Sequence, residues 1–159
     1  MHTDACIDPY IPQHLSHIAI HYSIPCFLVS SSVAWYRGHR VLACLEFILY
    51  FTSVQHWDCM YRHSLAKTCD VTFVLTTMTY SSLVLPKHLR DPSKSIYWYM
   101  TLGTSLVAHC LNESVLHDVL SAGDEFDDAQ IEWAMLRSIL VHMVFFHYAF
   151  SICSIYCTW

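Results

Sequence analysis

Residues 133–158 read WAMLRSILVHMVFFHYAFSICSIYCT, a long apolar run with Arg137 as its only charged side chain besides its histidines. A helix needs roughly 20 mostly apolar residues to cross a hydrocarbon core of about 30 Å. This run meets that length and carries His142 and His147 inside it. It therefore predicts a transmembrane helix with titratable groups in its interior.

Further apolar stretches precede this run. They are Leu15–Trp35, Val41–Trp57, Val71–Leu85 and Ser95–Leu111. The first meets the spanning length, the second and fourth come close, and the third reaches it only if Leu65–Asp70 extends the helix. The chain is 13% charged, whereas a soluble domain has about 25% charged residues. The sequence predicts an all-α, multipass transmembrane bundle of about five spans, with residues 1–159 as a single membrane-embedded domain.

The basic residues indicate the orientation of the bundle. Arg37 and Arg40 lie between spans one and two, and Lys87, Arg90 and Lys94 lie between spans three and four. Loops rich in Lys and Arg face the cytoplasm, and the acidic residues concentrate in the other loops. We expect the N-terminus outside or in the lumen and the C-terminus in the cytoplasm, in the plasma membrane or a secretory-pathway membrane.

The net charge of −5 and the lack of any large basic cluster argue against binding to nucleic acid. The apolar composition makes membrane lipid the expected partner of the chain. A membrane-protein partner stays open.

Titratable and hydroxyl side chains gather at the outer half of four predicted spans. They are Ser53 and His56 in span two, Asp70 in span three, His109 in span four, and His142 and His147 in span five. Ionisable residues inside spans are costly and usually face partners or cavities. Histidines can hold Zn²⁺, and a nearby carboxylate can take a proton from water. A polar seam that joins helices is the alternative for the face of span two that carries Glu46, Ser53 and His56.

Several motifs in residues 44–103 occur in a fixed order. Span two ends with Thr52-Ser53, His56 and Cys59, and a turn with Tyr61-Arg62-His63 follows. Span three then begins with Cys69-Asp70. The last motif is the basic loop Arg90-Asp91-Pro92-Ser93-Lys94. This order resembles the branch of the CREST superfamily that contains myomaker and the post-GPI-attachment lipase. The resemblance covers about sixty residues, and the family also has two histidines on its last span.

The resemblance implies a zinc site and a reaction. By analogy with the family, His56, His142 and His147 would hold Zn²⁺, and Asp70 and Ser53 would lie in the site. The expected activity is hydrolysis of a lipid ester or amide, with Asp70 as general base and Ser53 helping the developing oxyanion.

The chain departs from the family pattern in two ways. His142 and His147 are five positions apart rather than four, which separates them by about 140° on a regular α-helix. A local π-bulge would realign them, or His109 would supply the third ligand. The family has seven spans, so five spans imply a reduced form of its bundle.

Two other functions stay open. In one, the chain is a non-enzymatic multipass protein, such as a myomaker-like remodelling or fusion factor or a scaffold subunit, with structural histidines. In the other, Glu46 and Asp70 serve a proton-linked transporter, although the chain shows no internal repeat of the kind that transporters display.

Overall fold

The computed structural model describes residues 11–58, 65–89, 91–121 and 126–159. The helices are α1 (Gln13–Tyr22), α2 (Cys26–Tyr36), α3 (Arg40–Asp58), α4 (Leu65–Leu83), α5 (Leu85–His88), α6 (Pro92–Ser121), α7 (Asp128–His142), a π-helix (Met143–Tyr148) and α8 (Ala149–Thr158). No strand occurs in these ranges, so the all-α prediction is confirmed. Cys59, Tyr61-Arg62-His63 and Arg90, which carry part of the CREST resemblance, lie outside the described residues.

The long helices lie side by side and give the bundle two ends. At one end, His14 Nε2 lies 2.8 Å from Glu132 Oε1 and joins the beginning of α1 to the beginning of α7. At the other end, Arg37 Nε donates to the Thr158 carbonyl at 3.3 Å and joins the end of α2 to the end of α8. We call the first the histidine end and the second the basic end.

The first predicted span is broken. The sequence predicted one helix over Leu15–Trp35, but α1 ends at Tyr22 and α2 begins at Cys26. Pro25 precedes α2 and cannot donate a backbone hydrogen bond to the preceding turn. The Ser23 and Ile24 amides instead both donate to the Ala19 carbonyl. The break turns Ser23, which is fully buried, toward the interior of the bundle.

The beginning of α4 and the end of α6 also differ from the limits of the predicted apolar stretches. Helix α4 begins at Leu65, which confirms the extension that span three needed. Helix α6 continues to Ser121, ten residues beyond the end of the predicted span Ser95–Leu111. No Gly or Pro occurs between Asn112 and Ser121, and Asn112 and Leu116 are buried along one face of this segment. The segment is thus helical because it buries one side while its polar residues face outward.

Two helical segments among the described residues are long and apolar enough to cross a membrane, Gln13–Tyr36 and Asp128–Thr158. Only 39% of the apolar window in each is buried in the bundle. Large apolar side chains are therefore exposed on the outer surface of both. The other three predicted spans do not meet the same criterion of length and hydropathy.

Two apolar clusters hold the helices together. Toward the histidine end, the cluster includes Leu15, Ala19, Phe27, Trp57 and Ile139. Toward the basic end, it includes Ala34, Leu42, Leu85, Trp98 and Cys153. Since α1, α3 and α7 meet in the first cluster, their polar residues are brought close to one another.

Candidate active site

All the residues predicted for the site border one cavity of about 440 Å³, which we call the site cavity. Its polar lining includes Ser53, His56, Asp70, His109, His142 and His147. Apolar side chains of α4 and α6 form much of the remaining wall, among them Val74, Leu75 and Leu106. The polar groups that the sequence placed on four separate spans thus border the same cavity.

Asp70 is buried and joins α4 to α3. Its Oδ1 accepts a hydrogen bond from Ser53 Oγ at 2.6 Å and another from Thr52 Oγ1 at 3.2 Å. The carboxyl group lies in the second turn of α4 and the two hydroxyls in the last turns of α3. The two hydrogen bonds fix the orientation of the carboxylate. They also direct the Ser53 proton toward Asp70.

The π-helix aligns the two histidines of the last predicted span. His142 ends α7, and His147 lies in the π-helix Met143–Tyr148. A π-turn joins residues five apart, so the ring centroids of these histidines lie 5.0 Å apart at an interplanar angle of 81°. The π-bulge proposed from the spacing is confirmed. His109 is also close, with its ring centroid 6.1 Å from that of His142.

His147 is held by the break between α1 and α2. Its Nδ1 lies 2.6 Å from Ser23 Oγ, and the Ser23 hydroxyl also donates to the Ala19 carbonyl at 3.0 Å. The Phe27 ring packs on the imidazole with a centroid distance of 5.0 Å. Ser23 was not among the predicted site residues, because nothing in the spacing of residues pairs it with His147.

Trp57 lies between the histidines and was also missed. Its ring centroid is 5.9 Å from that of His56, 5.5 Å from that of His142 and 6.4 Å from that of His147. The indole Nε1 is buried without a hydrogen-bond partner. The only sequence signal was its position next to His56, which is equally typical of an aromatic residue in a helix interface.

A second buried polar group borders the site cavity deeper in the bundle. Glu46 on α3 is 5% exposed, and its Oε2 has no hydrogen-bond partner. It lies seven positions before Ser53, close to two helical turns, which explains why both face the cavity.

The donor set suits zinc, since three imidazoles with an open position are a known zinc arrangement. His56 Nδ1 is buried without a hydrogen-bond partner, and a bound cation would satisfy such a nitrogen. Zinc requires ligand nitrogens about 2.0–2.1 Å from one point. In the part of the chain that the structure describes, no three His, Cys, Asp or Glu side chains are arranged so that they could hold a metal ion.

The resemblance to the CREST superfamily rests on the residues quoted above. The chain matches no protein-family model, no curated protein and no solved structure at a significant level.

Proposed function

We propose that this chain is a multipass membrane protein with a zinc-dependent hydrolase site for a lipid ester or amide, similar to the CREST superfamily. The membrane part is supported by the two apolar segments, by their exposed outer surfaces and by the grouping of basic residues at one end. The observation that carries the catalytic part is the single cavity bordered by Asp70 and the histidines.

In this proposal His56, His142 and His147 hold the zinc ion, and His109 is the alternative third ligand. Zinc at such a site lowers the pKa of water to about 7 and polarises a carbonyl group. His142 and His147 suit this role because the π-helix brings their rings together. The Ser23 hydroxyl orients the His147 ring through Nδ1.

Asp70 acts as the general base. Its carboxylate is already oriented by Ser53 and Thr52, so accepting a proton needs little rearrangement. A protonated carboxyl group attracts a hydroxyl donor less strongly than a carboxylate does. Once Asp70 holds the proton, the Ser53 hydroxyl can donate to the developing oxyanion of the substrate.

The walls of the site cavity favour a substrate with an acyl chain. Leu75 on α4 and Leu106 on α6 both line the cavity and are 58% and 42% exposed on the outer surface. Helix α4 packs on α3, whereas α6 packs on α7 and α8. The cavity therefore borders the apolar surface between α4 and α6, where an acyl chain from the bilayer would contact apolar side chains.

Metal analysis tests the zinc site directly. The full chain is purified in detergent without chelators, and zinc per chain is measured by mass spectrometry. We expect one zinc ion in the wild type, loss of zinc in His56→Ala, and retention in His117→Ala, which changes an exposed histidine on α6. A wild-type protein that folds and takes up no zinc would contradict the proposal.

Activity assays test the chemistry. Fluorescent ceramide and a fluorescent phospholipid ester are presented in mixed micelles to the wild type, to Asp70→Asn and to Asp118→Asn. Loss of a general base typically lowers kcat about 10²–10⁴-fold, so Asp70→Asn should lose activity. Asp118 is exposed on α6, so Asp118→Asn should keep it. Equal turnover by all three proteins would reject Asp70 as the base.

The alternative is a non-enzymatic membrane protein, for example a remodelling factor or scaffold subunit. The double hydrogen bond from Ser53 and Thr52 to Asp70 favours it, because such a contact also serves to join two helices. In that case Asp70→Asn, which can still accept a hydrogen bond, would keep full function. A zinc-free wild type with normal stability would favour this alternative over the hydrolase.

A further inference from the structure

A second cavity, of about 740 Å³, lies at the basic end of the bundle. Arg37 and His39 reach it from the turn between α2 and α3, His88 from α5, and Lys94 from the first turn of α6. None of its lining residues borders the site cavity. We call it the basic cavity, and it is separate from the candidate active site.

The other cationic side chains of the basic cavity all lie close enough to the His39 imidazole to affect its pKa. Burial lowers the pKa of the His39 imidazole, and the positive charges of His88, Arg37 and Lys94 lower that pKa further. These four groups come from three parts of the chain, the turn between α2 and α3, helix α5 and the first turn of α6, so the fold brings them together. Two permanent cations and two imidazoles thus line one cavity.

Asp91 is the acidic residue in the lining of this cavity. Its carboxylate accepts a hydrogen bond from the Ser93 backbone N–H at 2.9 Å. The hydrogen bonds from Ser93 hold the pKa of this carboxyl group below its usual range. Asp91 therefore offsets one positive charge, and Arg37 and Lys94 are the two permanent cations in the lining.

The two permanent cations are held in place by aromatic residues and main-chain oxygens. Arg37 lies 4.9 Å over the Trp159 ring, while its Nε donates to the Thr158 carbonyl and its Nη2 to the main-chain oxygen of Trp159. Lys94 Nζ lies 5.6 Å over the Tyr156 ring. A guanidinium has five N–H donors, so Arg37 keeps donors for a ligand. Fixed cations lose little side-chain entropy when an anion binds.

Exposed aromatic residues surround this end of the bundle. They are Trp35, Tyr36, Tyr97, Tyr156 and Trp159, each between 45% and 80% exposed. Trp and Tyr concentrate at the boundary between the acyl chains and the headgroups. The basic cavity would then lie at the depth of lipid phosphates, on the side that the basic loops identify as cytoplasmic.

We propose that the basic cavity binds the phosphate of an anionic lipid headgroup, with a phosphate monoester such as phosphatidic acid as the best fit. A phosphate monoester carries about −1.5 to −2 charges at pH 7, which complements the two fixed cations, and the imidazoles of His39 and His88 supply further N–H donors. The size of the cavity lies within the common range of about 300–1,000 Å³ for ligand pockets. The inference depends on the membrane placement of the bundle and not on hydrolase activity.

Native mass spectrometry of the full chain tests the proposal. The protein is released from micelles that contain equal amounts of phosphatidic acid and phosphatidylcholine, and the fraction carrying each lipid is measured. We expect retention of phosphatidic acid by the wild type and about a fivefold lower bound fraction in Lys94→Gln, the effect of removing one cation near a lipid surface. Lys87→Gln is the matched control, because Lys87 is an exposed cation on α5 outside the cavity lining.

Three outcomes would overturn the proposal. If Lys87→Gln and Lys94→Gln lower the fraction that carries phosphatidic acid equally, the binding depends on general surface charge and not on the basic cavity. No preference for phosphatidic acid over phosphatidylcholine would reject a phosphate monoester site. Displacement of the lipid by an equal concentration of inorganic phosphate would assign the site to soluble phosphate. Should Lys94→Gln fail to fold, His88→Gln replaces an exposed side chain of the same cavity and serves the same comparison.

Discussion

Ser23 Oγ lies 2.6 Å from His147 Nδ1 and connects the first and last long segments of the bundle. The Ser23 hydroxyl has one proton, and the Ala19 carbonyl at 3.0 Å can only accept it. The remaining hydrogen bond then requires the proton on His147 Nδ1. The network therefore assigns the lone pair of this imidazole to Nε2, the nitrogen that a metal ion would use.

Ser23→Ala should weaken zinc binding. Loss of a hydrogen bond that orients a ligating histidine typically lowers metal affinity 10–100-fold. The zinc affinity of each variant is measured by competition with a fluorescent zinc chelator. Ser32→Ala is the matched control, because the exposed Ser32 hydroxyl also donates to a carbonyl four positions earlier, at 2.7 Å. Similar zinc affinity in Ser23→Ala and the control would contradict the orienting role.

Deletion of Val144 should convert the π-helix into regular α-helix. The deletion places the two histidines four positions apart, which keeps their side chains on one face. Val144 is 52% exposed, so little buried contact is lost. We expect helical circular dichroism and zinc content close to those of the wild type. A folded deletion variant that loses zinc would show that the π-helix itself is needed for the site.

Trp57→Phe should be tolerated, whereas Trp57→Ala should not. Phenylalanine keeps an aromatic ring against the histidines and removes an N–H that has no partner, a group whose burial costs about 1–3 kcal/mol. Truncating a buried Trp to Ala costs about 3–5 kcal/mol. Chemical unfolding in detergent followed by tyrosine fluorescence compares the two variants. Equal destabilisation would mean that the indole N–H has an important partner.

His39 should make the protein less stable at acidic pH. Burial, followed by the neighbouring positive charges, holds the pKa of His39 in the folded chain below the reference value of about 6.5. Below that value the unfolded chain binds more protons than the folded one, so the free energy of unfolding falls as the pH falls toward the pKa of the folded state.

Thermal unfolding between about pH 7 and pH 5, in a zwitterionic detergent without anionic lipid, measures this contribution of His39. The His39→Gln variant should lose less stability than the wild type over this interval. An unchanged or larger loss in His39→Gln would reject the effect.

Helix positions could be predicted from the sequence where an apolar run has polar residues at both of its ends. The predicted span Val41–Trp57 became α3, Arg40–Asp58, because Arg40 and Asp58 lie at the limits of the apolar face. The predictions of helix boundaries failed where a residue type is compatible both with a continuous helix and with a break. Pro25 is tolerated inside many transmembrane helices, so its presence alone did not predict a break. The predicted span Ser95–Leu111 stopped short of the end of α6 at Ser121, because hydropathy measures composition and not helical propensity.

The contacts of the candidate site became less predictable as the sequence separation of the partners increased. Ser53 and Asp70 meet because α3 and α4 are neighbours in both the chain and the bundle, and the resemblance had already named them. The spacing of His142 and His147 was informative because five positions fit a π-turn. Ser23 and Trp57 could not be found in this way, since their contacts with histidines of the last segment depend on tertiary packing alone.

The break between α1 and α2 places a residue of the site far from its histidine partner in the order of synthesis. The hydroxyl that fixes His147 is synthesised 124 positions before the ring it orients. During synthesis, Ser23 has no imidazole partner until the last segment has been made. The hydrogen bond between Ser23 and His147, and with it this part of the site cavity, can therefore form only after residue 147 has been synthesised.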